Sequence, residues 1–314
     1  MKRSLIFSCA LALAACSKSP APSPGPQPGL GAEAAAPPLG AASAVATASS
    51  SGAASAAASA SAPRSTLLDE AAFAAAHAAD AKSAPALRGA TVELAGTRAY
   101  LSLPKQGKPP LAGLVVIHEW WGLDDHIERW SDRLAEDGYA ALAVDLFDGK
   151  IATRPEDAAA QVKALDATRA RTTLLAASHF LRTDPRVRAE KVGAIGWCFG
   201  GKWSLELGLT DPKLDAVVVY YGQVPSDPEK LAALRSPVLG IFGKKDASIP
   251  STQLDGFERA LDTLHIEHRV LRYDADHAFA NPRGAHYDKV AARDSWRHVR
   301  EFFARRLKGA PAAP

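Results

Sequence analysis

The chain has 314 residues, enough for one sizeable α/β domain with extensions. Its 37 Lys and Arg residues against 34 Asp and Glu residues leave a net charge of only +3. No block of basic residues is long enough to indicate nucleic-acid binding, so we expect no nucleic-acid partner.

The first residues have the pattern of a secretion signal. Lys2 and Arg3 precede an apolar run over residues 5–15, which is too short to span a bilayer. Leu-Ala-Ala-Cys at 13–16 resembles a bacterial lipoprotein processing site, at which Cys16 becomes the lipidated first residue. This pattern predicts a cell-envelope protein that faces the periplasm and contacts the membrane through a lipid anchor, and Ser17 favours the outer membrane. An ordinary cleaved signal peptide with an incidental Cys16 is the alternative.

Composition divides the rest of the chain. Residues 16–64 are dominated by Ala, Ser, Pro and Gly, which cannot bury a core, and we interpret them as a disordered tether after a signal peptide at 1–15. Residues 65–88 form a helical extension, with an Ala-rich helix predicted over 67–82. The main domain is expected at 89–308, followed by a short tail at 309–314.

Strand-like and helix-like segments alternate through the main domain. The strands are predicted at 91–94 and 98–103, a hairpin with Gly96 at its turn, and at 114–117, 140–144, 192–195, 216–220, 238–242 and 268–271. The helices are predicted at 127–136, 155–181, 202–209, 253–264 and 287–307. This order predicts an α/β fold in which helices cover both faces of a mostly parallel sheet. Ligands of such sheets bind beyond the carboxyl ends of the strands.

Gly-Trp-Cys-Phe-Gly-Gly at residues 196–201 joins a predicted strand to a helix. It has the Gly-x-nucleophile-x-Gly spacing of a nucleophile elbow, with Cys198 as the nucleophile. Cys9 leaves with the signal peptide and Cys16 is the lipidation site, so Cys198 has no cysteine with which to form an intramolecular disulfide. A thiol at a helix N-terminus favours a chemical role over that of a small buried hydrophobe.

A cysteine nucleophile needs a base and an acid that orients the base. His277 and Asp246 follow predicted strands, in the order nucleophile, acid, histidine that α/β-hydrolases use. Asp274 and Asp276 are alternative acids, and Asp246 could instead only cap a turn.

His-Glu-Trp-Trp-Gly at residues 118–122 follows another buried strand. Glu119 is predicted to lie near the site, and the backbone N–H of Trp120 is the natural second oxyanion donor beside that of Phe199. A metal site on His118 and His126 is disfavoured, because the spacing is not His-Glu-x-x-His and no third ligand is apparent.

Taken together, these motifs resemble the dienelactone hydrolase family of α/β-hydrolases over residues 90–308. Asp-Leu-Phe at 145–147, Gly-Lys-Lys-Asp at 243–246 and His-Ala-Phe at 277–279 complete the resemblance. It implies an α/β-hydrolase fold and hydrolysis of a lactone or ester through a thioester acyl-enzyme, without a cofactor or metal. Cys198, Asp246 and His277 match the triad, and Glu119 matches a glutamate that contacts the resting thiol and helps to activate it. Trp120 and Phe199 match the oxyanion-hole positions, and we expect a monomer.

The chain departs from the family pattern where dienelactone-specific enzymes hold the substrate carboxylate with arginine. Asn281 stands four residues after His277, and Lys150 lies in the second arginine region, with Arg283 as a further substitute. Trp121, Lys150, Phe279 and Asn281 are the candidate substrate contacts. Because the two-point grip of arginine is missing at the matched positions, the natural ester or lactone is left open.

Three other functions are compatible with the sequence. The first is a thiol-dependent peptidase or acyltransferase on the same fold. The second is a non-catalytic, lipid-tethered envelope binding protein that keeps a relic triad. The third is a redox sensor that uses the same thiol.

Overall fold

The computed structural model describes residues 66–78 and 84–309. The predicted signal peptide, Cys16 and the predicted tether lie outside the described residues. Within the described ranges, no helix combines the length and the apolar character needed to cross a membrane.

Eight strands form one sheet with the order β1-β2-β4-β3-β5-β6-β7-β8. The hairpin strands β1 and β2 pair antiparallel, β2 also pairs antiparallel with β4, and every other pair is parallel. The strands are β1 (Ala90–Leu94), β2 (Thr97–Ser102), β3 (Gly113–Ile117), β4 (Ala140–Val144), β5 (Val192–Trp197), β6 (Ala216–Tyr220), β7 (Val238–Gly243) and β8 (His268–Tyr273). The predicted mostly parallel sheet is confirmed.

Helices cover both faces of this sheet. They are α1 (Glu70–Ala78), α2 (Asp125–Glu136), α3 (Pro155–Ala164), α4 (Ala167–Thr183), α5 (Phe199–Thr210), α6 (Ser251–Thr263) and α7 (Lys289–Lys308), with a short 3-10 helix at Pro228–Leu231. Alternate residues of β5 point to opposite faces. Trp197 stacks on Trp130 of α2, and a Cβ at Gly193 would meet Phe303 of α7, whereas Gly196 faces α5.

Two helix predictions need correction. The single helix predicted over 155–181 is two helices, α3 and α4, because Leu165 is extended and the Asp166 carboxylate accepts hydrogen bonds from the first amides of α4. The helix predicted over 67–82 is seen as Glu70–Ala78, and residues 79–83 lie outside the described part of the chain.

Helix α1 docks on the sheet-covering helices through a buried ion pair. Glu70 contacts Arg133 of α2 at 2.7 Å, and the Arg133 side chain is 0 % exposed. The guanidinium also lies over the rings of Phe73, Trp130 and Trp296, at 4.2, 5.0 and 4.4 Å. Cation–π attraction and a paired carboxylate are what a buried charge requires, so α1 completes the surroundings of Arg133.

The strand register brings distant loops to one edge of the sheet. Ile117 at the end of β3 pairs with Gly196 of β5, so the segment that carries Glu119 continues beside the elbow. At the other side of the site, Gly243 at the end of β7 pairs with Tyr273 at the end of β8. The loops that carry Asp246 and His277 therefore start side by side.

Candidate active site

Cys198 occupies a sharp turn between β5 and α5. Its φ of 55° and ψ of −116° lie in a region that L-residues rarely adopt, and such strain is commonly found at functional sites. A Cβ on Gly196 would lie 2.2 Å from the Gly200 carbonyl oxygen, and one on Gly200 would lie 2.2 Å from that of Ile117. Only glycine at these two positions lets the elbow pack this closely, and Cys198 is the free thiol of the described residues.

His277 and Asp246 are in direct contact near this turn. His277 Nδ1 lies 2.6 Å from Asp246 Oδ2, and the Ser248 amide and hydroxyl donate to the other oxygen at 2.9 and 2.5 Å. The alternative acids lie elsewhere, because Asp274 pairs with Lys245 and Asp276 lies 3.7 Å from His286. Burial alone would raise the pKa of Asp246, but its hydrogen bonds to His277 and Ser248 outweigh burial and lower the pKa.

The His277 ring links this acid to the thiol. Burial would lower its pKa, but hydrogen bonds with Asp246 and Cys198, together with the negative charge that each can carry, raise the pKa to about 10. Since Nδ1 faces Asp246, Nε2 is the nitrogen left to exchange a proton with Cys198. An imidazolium beside a cysteine stabilises its thiolate.

Glu119 is a buried carboxyl group next to this pair. Asn281 Nδ2 donates to Glu119 Oε2 at 2.8 Å across 162 residues of chain. Burial first, and then the charge of Asp124, raise the pKa of Glu119 to about 7, while His277 and Asn281 act in the opposite direction. A carboxyl group with this pKa can change its charge near neutral pH.

The segment before Trp120 is fixed by His118. Its Nδ1 donates to the Glu119 carbonyl oxygen at 2.6 Å, and its Nε2 accepts from the Leu146 amide at 3.1 Å. Burial is the main cause that lowers the pKa of His118, which keeps this neutral tautomer. The His118 ring also stacks on the Phe199 ring, with centroids 5.6 Å apart, so it contacts the segments of both oxyanion candidates.

The two predicted oxyanion donors are backbone amides without a backbone acceptor among the described residues. Phe199 is the first residue of α5, where amides have no partner within the helix. The Trp120 amide donates to no backbone carbonyl of the described residues.

The sequence profile of the dienelactone hydrolase family matches residues 97–307. The chain belongs to this family. A Synechocystis relative, provisionally named a carboxymethylenebutenolidase, is 32 % identical over 228 residues, which are 67 % of this chain and 92 % of the relative. A Saccharolobus solfataricus relative with the same provisional name is 28 % identical and covers 66 % of this chain and 93 % of its own length. A solved dienelactone hydrolase-like promiscuous phosphotriesterase from metagenomic libraries has 27 % identity and a TM-score of 0.64, and covers 70 % of this chain and 98 % of its own.

Family membership makes this chain a hydrolase of the carboxylic ester and lactone class. The loops that vary between such hydrolases select the substrate.

The four candidate substrate contacts of this hydrolase have different surroundings. Trp121 is half-buried and packs edge-on against Trp120 at 5.0 Å. Lys150 is exposed and lines a cavity of about 140 Å³ between the loop after β4 and the start of α4. Phe279 is 0 % exposed and packs on Tyr221 and Tyr273, so it supports the His277 loop from inside.

Asn281, at the matched arginine position, and Arg283, one of the two substitute cations, are both engaged within the protein, whereas Lys150, the other, is exposed. The amide of Asn281 is bound to Glu119, as described above. Arg283 makes a two-point contact with Asp125 at 2.8 and 2.6 Å and lies 3.7 Å from Asp124. Each of these side chains would have to leave its partner to bind a substrate carboxylate.

Sequence reasoning missed two side chains of this hydrolase site. Ser248 holds the free oxygen of Asp246, and the Asp-Ala-Ser sequence of an Asx turn was its signal. Tyr221 follows the carboxyl end of β6 and packs edge-on against His277 at 5.1 Å. Burial, followed by the charge of Glu119, raises the pKa of Tyr221 well above its usual value, so its hydroxyl stays protonated.

Within the described part of the chain, no group of three or more His, Cys, Asp or Glu side chains lies close enough together to hold a metal ion. His118 and His126 have different partners. His118 is hydrogen-bonded to the backbone of Glu119 and Leu146, whereas His126 Nε2 lies 3.8 Å from the Glu119 carboxylate.

Proposed function

We propose that this hydrolase cleaves an ester or lactone through a covalent thioester on Cys198. The observation that carries the proposal is the 2.6 Å contact of His277 with Asp246, together with the strained backbone of Cys198 at the elbow and the influence of Cys198 on the pKa of His277. This is the geometry of a nucleophile, a base and an orienting acid.

In the first half-reaction, the thiolate sulfur of Cys198 attacks the carbonyl carbon and forms an S–C bond. The carbonyl oxygen gains negative charge, which the amides of Phe199 and Trp120 stabilise. Each such donor typically contributes about 3–4 kcal/mol to lowering the barrier. The C–O bond then breaks, and the leaving alkoxide takes the proton from His277 Nε2, so that a thioester and an alcohol remain.

In the second half-reaction, His277 removes a proton from water, which attacks the thioester carbonyl. The S–C bond breaks, the acid product leaves, and the thiolate and imidazolium are restored. Asp246 stabilises the positive ring in both halves because its carboxylate stays ionised at 2.6 Å from Nδ1. Glu119 helps to activate the Cys198 thiol before substrate arrives, and a pKa of about 7 lets its carboxyl group take up or release a proton near neutral pH.

We propose an uncharged ester or lactone as the substrate. Asn281 is neutral and bound to Glu119, Arg283 is bound to Asp125, and Lys150 is exposed on the loop after β4. A carboxylate on the substrate would face the buried Glu119 without an arginine to pair with it, which is unfavourable.

Purified full-length protein tests this function on neutral esters, neutral lactones and dienelactone, with Cys198→Ala, Cys198→Ser and His277→Gln as variants. We expect turnover of neutral substrates, its loss in Cys198→Ala, and a mass increase of one acyl group on Cys198 when His277→Gln is mixed with an activated ester. Full activity of Cys198→Ala would refute the proposal. Transfer of the acyl group to an added amine or alcohol in preference to water would instead favour an acyltransferase.

We also propose that the protein is lipid-anchored in a bacterial envelope through Cys16. Loss of radioactive palmitate labelling in Cys16→Ser cells would support the anchor, and unchanged labelling would contradict it.

A further inference from the structure

A row of three buried ionisable side chains leads from α1 to the active site. His77 lies near the end of α1, His126 lies in the first turn of α2, and Glu119 follows β3. The rings of His77 and His126 meet edge to face with centroids 4.8 Å apart, and His126 Nε2 lies 3.8 Å from Glu119 Oε2. The proposed function assigns no role to either histidine.

His126 is poorly satisfied for a buried polar group. Both of its ring nitrogens are buried and have no hydrogen-bond partner among the described residues. Burial first, and then the charges of His77 and Arg283, lower its pKa well below the usual value, so the ring is neutral and carries one N–H. Unpaired buried donors are costly, and each one in a native protein calls for an explanation.

His77 packs edge to face against this ring. His77 Nδ1 donates to the Phe73 carbonyl oxygen at 2.8 Å, and burial lowers the pKa of His77 to about 4. Its Nε2 is therefore an acceptor, and it has no hydrogen-bond partner among the described residues. Glu70 and Phe73 anchor α1 on Arg133, so the contact between the two rings depends on the docking of this helix.

Glu119 Oε2 has two donors in reach. Asn281 Nδ2 already binds it at 2.8 Å, and His126 Nε2 stands 3.8 Å away. A shift of about 1 Å would close the second distance to a normal hydrogen bond. Contacts in free enzymes are often this long and tighten when substrate binds.

We propose that His126 is a positioning residue for Glu119, a neutral Nε2–H donor that α1 holds in place through His77. The inference rests on the proposed function of Cys198 and Glu119. By this proposal α1, which precedes the family-matched residues 97–307, affects the reactivity of the Cys198 thiol.

The charged and titratable groups around this row come from several elements. Those that act on Glu119 or lie against it are Asp124 at the start of α2, His277 and Asn281 after β8, and Tyr221 after β6. Those that act on the two histidines are Arg129 and Arg283. The variants below leave all of these groups unchanged.

The test is a double-mutant cycle on the full-length protein. His126→Phe keeps the ring and removes both unpartnered nitrogens, so it should fold, and Glu119→Gln removes the carboxylate. Two quantities are measured from pH 5 to 9: kcat and KM for p-nitrophenyl acetate, and the rate at which iodoacetamide alkylates Cys198, followed on the Cys198 peptide by mass spectrometry. The alkylation rate needs no substrate, so it reports on Glu119 and His126 even if ester hydrolysis fails.

In His126→Phe we expect kcat to fall about 10-fold with KM little changed, which is the loss expected for one hydrogen bond to a charged group. The alkylation rate should change with pH as Glu119 ionises, with a midpoint expected near pH 7 in the parent protein. In His126→Phe this midpoint should move to higher pH, because the Glu119 carboxylate loses a hydrogen-bond donor. In the Glu119→Gln background, His126→Phe should have no further effect. His126→Gln, which keeps a side-chain N–H, should recover most of the loss, and His77→Phe should show a smaller loss than His126→Phe.

Tyr287→Phe is the matched control, since it removes the 2.8 Å bond from the Tyr287 hydroxyl to Glu70 without touching either histidine. It should leave both rates unchanged. The proposal is overturned if His126→Phe behaves like the parent protein, if its loss persists in the Glu119→Gln background, or if Tyr287→Phe reproduces it.

Discussion

Replacing Glu70 with Gln tests whether α1 is held by charge. The carboxylate of Glu70 is the counter-ion that Arg133 contacts at 2.7 Å, and both side chains are buried. Burial lowers the pKa of Arg133, while the charge and hydrogen bond of Glu70 act in the opposite direction. In Glu70→Gln, the guanidinium stays buried and keeps only neutral partners, including the three aromatic rings and the Leu68 carbonyl.

Breaking a buried pair in this way typically costs about 3–5 kcal/mol, and the rings around Arg133 place the expected loss near the lower end, about 3 kcal/mol. For a domain of this size, that loss lowers the melting temperature by roughly 10 °C. Urea titration followed by tryptophan fluorescence is a suitable assay, because Trp130 and Trp296 both lie against the guanidinium.

A second variant separates charge from packing. In the double variant Glu70→Gln with Arg133→Met, no charge is left unpaired, so stability should recover by at least about 1 kcal/mol relative to Glu70→Gln. The reasoning is refuted if Glu70→Gln costs less than about 1 kcal/mol, or if the double variant is as unstable as the single one.

Three further outcomes follow from the site. Glu119 has a folded-state pKa of about 7 against an ordinary 4.5, so the folded state binds more protons between these values, and stability should fall by about 3 kcal/mol as the pH rises through that window. Between pH 4 and pH 8, urea unfolding should show a fall in stability about 3 kcal/mol smaller in Glu119→Gln than in the parent protein, and an equal fall in both would show that another group causes it. Asn281→Arg should raise the ratio of kcat/KM for an anionic lactone to kcat/KM for its neutral analogue by about 10-fold relative to the parent protein, and Asn281→Gln is the control. An unchanged ratio would argue against the uncharged-substrate proposal. Gly200→Ala should yield no stable fold, since its Cβ would lie 2.2 Å from the Ile117 carbonyl oxygen. Gly149→Ala is the control, because nothing lies within 4 Å of its Cβ, and it should lower stability by only about 1 kcal/mol. Similar melting temperatures for the two variants would contradict the close-packing argument.

Local patterns predicted the centre of the sheet well because β3, β4, β6 and β7 are short, fully buried apolar runs between turn residues. Strands β4 and β6 have the predicted bounds, and all five residues of each are buried. The break between α3 and α4 was missed because both segments have helical composition, and the Asp166 cap was not recognised as a start signal.

The loops that carry Cys198, Asp246 and His277 were placed correctly because strand order fixes which loops meet at the carboxyl edge. Contacts between residues far apart in the chain were out of reach. Asn281 was predicted as a substrate contact from its spacing to His277, whereas its amide is bound to Glu119. The meeting of His77 with His126 likewise depends on how α1 docks, which no local pattern encodes.

The docking of α1 also bears on where an expressed fragment of this hydrolase should begin. The family match starts at residue 97, after α1 and strand β1. A fragment cut there would lose Glu70, Phe73 and the first strand of the hairpin, and would leave Arg133 without its counter-ion. Fragments intended for crystallisation or enzyme assays should therefore start at or before Thr66, whose carbonyl oxygen accepts a hydrogen bond from the Asp69 amide at the start of α1.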